Sequence, residues 1–213
     1  MSGTCILFFL KYPAAGKVKT RLAATLGNEK AMKAFCWMVE TAWKDAVSKH
    51  WERQVCGTPE THLTDFDQWL SNGRPAKAQS VGDLGDRLIA GISGAFSEGF
   101  EKVICVGGDC VQLGFKEYSA LSEALENNDA AILPAHDGGY VAIGLKAPQP
   151  LLFQNIAWSS DSVFEDTLNA AKSADLSVWI GETFTDVDTL EDWSASGAPN
   201  FPGSPQLTPT KDA

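Results

Sequence analysis

Four cations, Lys11, Lys17, Lys19 and Arg21, fall within a stretch, residues 1–21, that contains no acid. They belong to the segment Lys11-Tyr-Pro-Ala-Ala-Gly-Lys-Val-Lys-Thr-Arg-Leu22, in which Pro13 and Gly16 open a turn before a helical pattern. A helix start offers free N–H groups and the positive end of the helix dipole. Lysine and arginine added to it make a di- or triphosphate the natural ligand. The segment lacks the Gly-Lys-Ser/Thr ending of a Walker loop, and it is no Rossmann fingerprint. On spacing alone, an ordinary basic helix start fits it equally well.

The acids that would complement such a loop lie far downstream. Asp109 follows a β-branched apolar run through Gly107 and Gly108. A carboxylate at that place suits Mg²⁺, which takes hard oxygen ligands together with substrate phosphate oxygens. Capping of a following helix by Asp109 is the bland alternative. In Thr185-Asp-Val-Asp-Thr-Leu-Glu-Asp192, Asp186 and Asp188 alternate, so an extended chain points both to one side. A helix cap by Asp188 or Thr189 explains the same residues structurally, and both roles can coexist.

Two further segments carry polar groups near turns. Gln79-Ser-Val-Gly-Asp-Leu-Gly-Asp-Arg87 enters a helix through glycines. Gln79 could read a base edge and Arg87 a phosphate or sugar, while a plain turn with a cap fits as well. Asp137-Gly138-Gly139-Tyr140 is a hairpin signal by itself. His136 beside it carries no functional assignment.

The elements that must position these residues alternate between strand and helix. Strands are predicted at 4–9, 53–56, 76–80, 103–106, 130–133, 140–145 and 176–180. Helical patterns cover 18–49 with a break near Gly27 and Asn28, then 65–70 with Thr64 as cap, 84–100, 116–126, 161–171 and 190–194. Alternation of this kind predicts an α/β fold, a mostly parallel mixed sheet covered by helices on both faces. Ligands of such sheets bind at the carboxyl ends of strands, where the loops above begin. Residues 1–197 read as one domain, and 198–213, rich in Pro, Gly, Ser and Thr, as a disordered tail.

Bulk properties narrow the partners. The net charge of -10 opposes nucleic-acid binding and docking on an anionic membrane. Charge is nevertheless uneven, since Lys172 to Lys211 encloses six acids and no cation. Five cysteines without a CxxC pair fit reduced thiols in the cytoplasm rather than a zinc site. The apolar run Cys5 to Leu10 is too short for a signal peptide, and no stretch reaches membrane-spanning length.

Together these segments resemble one family, the bacterial glycosyltransferase-like proteins associated with arsenosugar biosynthesis. That family belongs to the nucleotide-diphospho-sugar transferase superfamily, whose fold is GT-A. The chain is also similar to phospholactate guanylyltransferase and molybdenum-cofactor guanylyltransferase. The resemblance runs from Ile6 to Trp193. It rests on Lys11-x-Pro-x-x-Gly-x-Val-Lys-Thr-Arg-Leu22, Gln79-x-x-Gly-Asp-Leu-Gly-x-Arg87, Asp137-Gly-Gly-Tyr140 with Ile143-Gly-Leu145, and Asp186-Val-Asp-Thr189. It departs at Gly107-Gly-Asp-Cys-Val111, where the family has Gly-Thr-Asp-Cys-Pro, and at Val141 and Ala142, which replace larger residues.

The resemblance implies roles. Lys11, Lys19 and Arg21 would hold nucleotide phosphates, with Gly16 shaping their loop. Gln79, Gly82 and Asp83 would lie near the nucleoside, and Arg87 near phosphate or sugar. Asp109, with Asp186 or Asp188, would bind Mg²⁺ or Mn²⁺. Asp137, Gly138, Gly139 and Tyr140 would face a small acceptor. The expected activity is glycosyl transfer from a nucleotide sugar. Nucleotidyl transfer from a nucleoside triphosphate with pyrophosphate release is the alternative, followed by nucleotide binding without turnover.

Overall fold

The first strand explains the architecture. β1 (Thr4–Lys11) is buried along almost its whole length. Its side chains divide between two layers. Ile6, Phe8 and Leu10 enter one core cluster, Cys5 and Leu7 the other. A strand covered on both faces reads as an unbroken apolar run rather than an alternating one.

The computed structural model describes residues 3–70, 72–196 and 198. After β1 come α1 (Thr20–Leu26), α2 (Asn28–Asp45), β2 (Trp51–Thr58), α3 (Leu63–Trp69), β3 (Lys77–Ala78) and α4 (Leu84–Ser97). Then follow β4 (Lys102–Val106), α5 (Phe115–Ala124), β5 (Ala130–Pro134) and β6 (Tyr140–Leu145). The described chain finishes its regular elements with α6 (Val163–Ser173), β7 (Val178–Ile180) and α7 (Leu190–Ala195). One seven-stranded sheet has the order β3-β2-β1-β4-β6-β5-β7. β6 runs antiparallel to both β4 and β5, and the other pairings are parallel. This is the predicted mixed, mostly parallel sheet.

Helices α2, α3 and α5 cover one face, and α4 and α6 the other. α2 buries Ala31, Ala34, Phe35, Met38, Val39, Ala42 and Trp43, which recur at helical spacing. Each large apolar side chain so buried contributes about 1.5–3 kcal/mol relative to exposure. Gly27 separates α1 from α2 with φ 82°, which accounts for the predicted break.

Several boundaries differ from the sequence expectation. α2 stops at Asp45 instead of continuing to Lys49. Thr64 does not cap α3. His62 holds the cap position, without a side-chain cap bond, and Thr64 lies inside the helix. The expectation for 198–213 falls outside the described residues except for Ala198. Among the described residues, no helix is long and apolar enough to cross a membrane.

Candidate active site

The chain leaves β1 toward one side of the sheet, through β2 and β3, and returns to the other side with β4. The point between β1 and β4 is therefore a switch in strand order, where doubly covered sheets leave a crevice beyond the strand ends. A cavity of about 520 Å³ lies there. Lys11, Lys17, Lys19, Arg21, Asp109, Tyr140 and Asp188 are among its lining residues.

Lys19 is the centre of the polar end. Its Nζ donates to Asp109 Oδ2 at 3.0 Å and to Asp188 Oδ1 at 2.7 Å. Its side chain is only 6% exposed, against 39% and 37% for the two carboxylates. Burial by itself lowers an ammonium pKa, but the two carboxylates outweigh it and hold that of Lys19 above its usual value. The backbone at Lys19 is left-handed, φ 45° and ψ 52°, at the N-cap of α1. A non-glycine residue there is strained, and such strain persists only where surroundings enforce it. Buried Val18 and Leu22 flank it as anchors. Arg21 Nη1 donates to the other oxygen of Asp188 at 3.1 Å, with 70% of its side chain exposed.

Asp109 and the Asp186–Asp188 segment meet through the backbone. Val187 N–H donates to the Asp109 carbonyl at 3.0 Å. Upstream, Phe184 N–H reaches the Pro134 carbonyl, and the Phe184 carbonyl accepts from His136 N–H. The segment is thus laid along the end of β5 and delivered to the end of β4. Asp109 caps no helix, because α5 begins six residues later. Thr189 caps α7 in a reciprocal capping box with Asp192, leaving Asp188 for the cations. Burial and the nearby charge of Asp109 push the Asp186 carboxyl up to about 7.

Gly108 stands where the resembled family has threonine, and packing explains it. A Cβ there would lie 2.6 Å from Val39 Cγ2 and 2.8 Å from Leu10 Cδ2. Val39 and Leu10 beneath the loop crowd the place that a side chain would take.

The donor set suits Mg²⁺ or Mn²⁺ in one particular way. Asp109, Asp186 and Asp188 offer hard oxygens, and a cation already bridges two of them. Among the described residues, no three His, Cys, Asp or Glu side chains gather closely enough to hold a metal ion alone. Mg²⁺ commonly takes one or two carboxylates and completes its shell with ligand phosphates and water.

The other predicted residues stand around the cavity rather than in its lining. Gln79 donates from Nε2 to the carbonyls of Leu10, at 3.2 Å, and Cys56, at 2.8 Å, tying together the ends of β1 and β2. Arg87 Nε donates back to the Gly82 carbonyl at 3.1 Å. Asp83 caps α4 in a capping box with Asp86. These bonds shape the turn that carries Leu84 into the lining. Gly16, with φ 74°, sits over Asn28. Asp137 accepts from Gly139 N–H at 2.9 Å inside the β5–β6 hairpin.

Gly138 locks that hairpin. Its φ is 89°, and a Cβ would lie 2.1 Å from the Asp161 carbonyl oxygen. Gly138→Ala is expected to cost on the order of 2 kcal/mol or more, because strain and a backbone clash act together. Urea unfolding measures it. An unchanged midpoint would show that the hairpin and the Asp161 loop separate freely.

The sequence reading missed the cavity's apolar wall, made by Phe9, Phe35, Leu84, Leu88, Cys105 and Ile143. These residues carry no local signal, since each also reads as ordinary core.

Comparisons with known proteins agree with this fold. The family model described as "Uncharacterized protein conserved in bacteria (DUF2064)" matches residues 41–160. Among curated proteins, none matches the chain. A solved protein from Desulfovibrio desulfuricans G20, provisionally named a nucleotide-diphospho-sugar transferase, is 34% identical with TM-score 0.87. That match covers 92% of this chain and 86% of the other. CMP:2-keto-3-deoxy-manno-octonic acid synthetase, solved with CTP, matches at 12% identity and TM-score 0.54, over 91% of this chain and 96% of that one. Rv0371c of Mycobacterium tuberculosis H37Rv, solved with manganese, matches at 11% identity and TM-score 0.52, over 92% and 97%. The last two likenesses are of fold alone.

Proposed function

The chain belongs to the bacterial DUF2064 family, and from that premise we propose that it is a divalent-metal-dependent transferase acting on a nucleotide-activated donor. The favoured reaction is glycosyl transfer from a nucleotide sugar to a small acceptor. One observation carries this reading. At the strand-order switch the shielded Lys19 side chain bridges the half-buried carboxylates of Asp109 and Asp188, beside a cavity lined by Lys11, Lys17 and Arg21. That is the charge pattern a metal-bound diphosphate requires. The 34% identical relative from Desulfovibrio desulfuricans, with its provisional name, supports the donor class.

In this reading, Lys11, Lys17 and Arg21 bind the diphosphate, and Asp109 with Asp186 or Asp188 holds Mg²⁺ or Mn²⁺. The metal would supply neutralisation of charge on the diphosphate. The acceptor's hydroxyl oxygen bonds to the anomeric carbon as the bond to the diphosphate oxygen breaks. The bonding electrons leave with the diphosphate, and the hydroxyl proton passes to water. Lys19 is fixed before the reaction, so it stabilises that leaving charge without reorganising, and Arg21 adds a second cation beside it. Gln79, Gly82, Asp83 and Arg87 hold the turn beside the nucleoside, and Asp137 to Tyr140 border the acceptor.

A second reading, nucleotidyl transfer from a nucleoside triphosphate, is favoured by the number of cations lining the cavity, four against two carboxylates. Pyrophosphate release distinguishes it from glycosyl transfer.

The test is calorimetric titration of nucleoside diphosphates with Mn²⁺ or with EDTA, on the parent and on Asp109→Asn. Nearly isosteric asparagine should preserve the melting temperature. It should weaken metal-dependent binding by at least ~10-fold, the size of effect that even outer-shell partners of a metal produce. Equal affinity in EDTA, or in the variant, would remove the metal assignment.

A further inference from the structure

The cavity is bipolar, and its second half points to a substrate class. One end holds the cations. On the side of the sheet that α4 covers, the lining is apolar, made by Phe9, Leu84, Leu88, Cys105, Ile143 and the Tyr140 ring. Leu84 and Leu88 lie one turn apart on α4, so both project from the same face. Cys105 and Ile143 are directly paired across β4 and β6, on the sheet face that α4 covers. Among the lining residues the carboxylates are Asp109 and Asp188, and both are bound to Lys19. No amide side chain lines the cavity among the described residues. Gln79, the nearest amide along the chain to α4, spends its Nε2 on the carbonyls of Leu10 and Cys56.

A polyhydroxyl acceptor needs hydrogen-bonding partners on the surface that it covers. Buried hydroxyls left without partners are costly. The Tyr140 hydroxyl is buried, so this wall presents the ring of Tyr140 and not its polar group. Leu84 is also 44% exposed, and Val81 on the same turn 93% exposed. Neither is held there by packing in the core. An apolar wall opening to water through an exposed leucine gains most when an apolar group covers it.

We propose that the acceptor of this transferase is an alcohol carrying an apolar or aromatic group, which seats on Leu84, Leu88, Phe9 and Ile143 beside the nucleotide. This rests on the transferase reading above. It adds that the acceptor is not a bare polyol.

The test uses the full chain with Mn²⁺ and each common nucleoside diphosphate in turn. Benzyl alcohol and glycerol serve as acceptor probes, followed by saturation-transfer NMR at millimolar concentration. Benzyl alcohol should bind at least ~10-fold more tightly than glycerol, given the area of ring removed from water, and should still bind with the nucleotide present. Leu84→Asn should weaken benzyl alcohol about threefold or more while leaving the melting temperature unchanged, since Leu84 is half exposed at the first position of α4. Equal binding of the two alcohols would overturn the proposal. So would insensitivity to Leu84→Asn. Loss of benzyl alcohol on adding nucleotide would also overturn it, assigning the wall to the nucleobase. If no nucleoside diphosphate stabilises the protein, the transferase reading fails separately, because the alcohol comparison can be read without nucleotide.

Discussion

Arg21→Ala should weaken nucleoside-diphosphate binding by at least ~30-fold while leaving the melting temperature of the free protein almost unchanged. The two halves of this expectation come from different facts. Arg21 is 70% exposed, and its bond to Asp188 Oδ2 is a surface ion pair. Such pairs contribute about 0–1 kcal/mol. Asp188 also keeps its shorter bond to Lys19, so no carboxylate is stranded. With a diphosphate in the cavity, the guanidinium would make charge-assisted bonds in a site shielded from water. Losing one partner of such a contact costs roughly 2–5 kcal/mol, and each 1.4 kcal/mol is about tenfold. The uncharged nucleoside should bind the variant as it binds the parent. Calorimetry with both ligands, alongside a melting curve, is sufficient. A lowered melting temperature with equal loss for both ligands would make Arg21 a structural residue instead.

Lys19→Met should do the reverse, lowering stability before any ligand is added. Its side chain is only 6% exposed, and its ammonium bridges two carboxylates that remain partly hydrated. Breaking a fully buried pair costs about 3–5 kcal/mol. Exposure of Asp109 and Asp188 reduces this to roughly 2 kcal/mol. Methionine keeps the length of the stem, so the loss reports charge rather than packing. Millimolar Mn²⁺ should restore part of the stability in the variant, because a divalent cation can replace the ammonium between the carboxylates. The parent should gain less. The pH dependence follows from the raised pKa of Lys19. A raised ammonium pKa contributes stability that is fully present below the ordinary lysine value of 10.5. It is lost only as pH rises through the still higher folded value. The part of the parent's advantage over Lys19→Met that comes from Lys19's own titration should therefore fall only on the alkaline side, above about 10.5. Equal melting temperatures, with or without Mn²⁺, would show that the junction carries no stability.

The amino-acid sequence by itself determined much of this protein. β1 could be placed because a short apolar run ending at a turn suits a strand covered on both faces. Gly27 marked a helix break, and Asp188 or Thr189 a helix start, because capping is a matter of neighbouring residues. The Asp-Gly-Gly turn stated its own hairpin. The types of residue needed for a phosphate and metal site could also be read, together with the strand ends that would present them.

What tertiary structure decided is which of those residues meet. Lys19 and Asp109 are 90 positions apart, and Lys19 and Asp188 are 169 apart. Their contact depends on the order of strands and on the bond that delivers Val187 to Asp109. Periodicity reports only neighbours within a few residues. The same limit hid the apolar wall, since Leu88 or Ile143 reads as core whether or not a cavity lies above it. It also hid the bonds by which Gln79 joins the ends of β1 and β2 through the carbonyls of Leu10 and Cys56. Local pattern records what each residue can do, and only packing across the sheet selects the partner with which it does it.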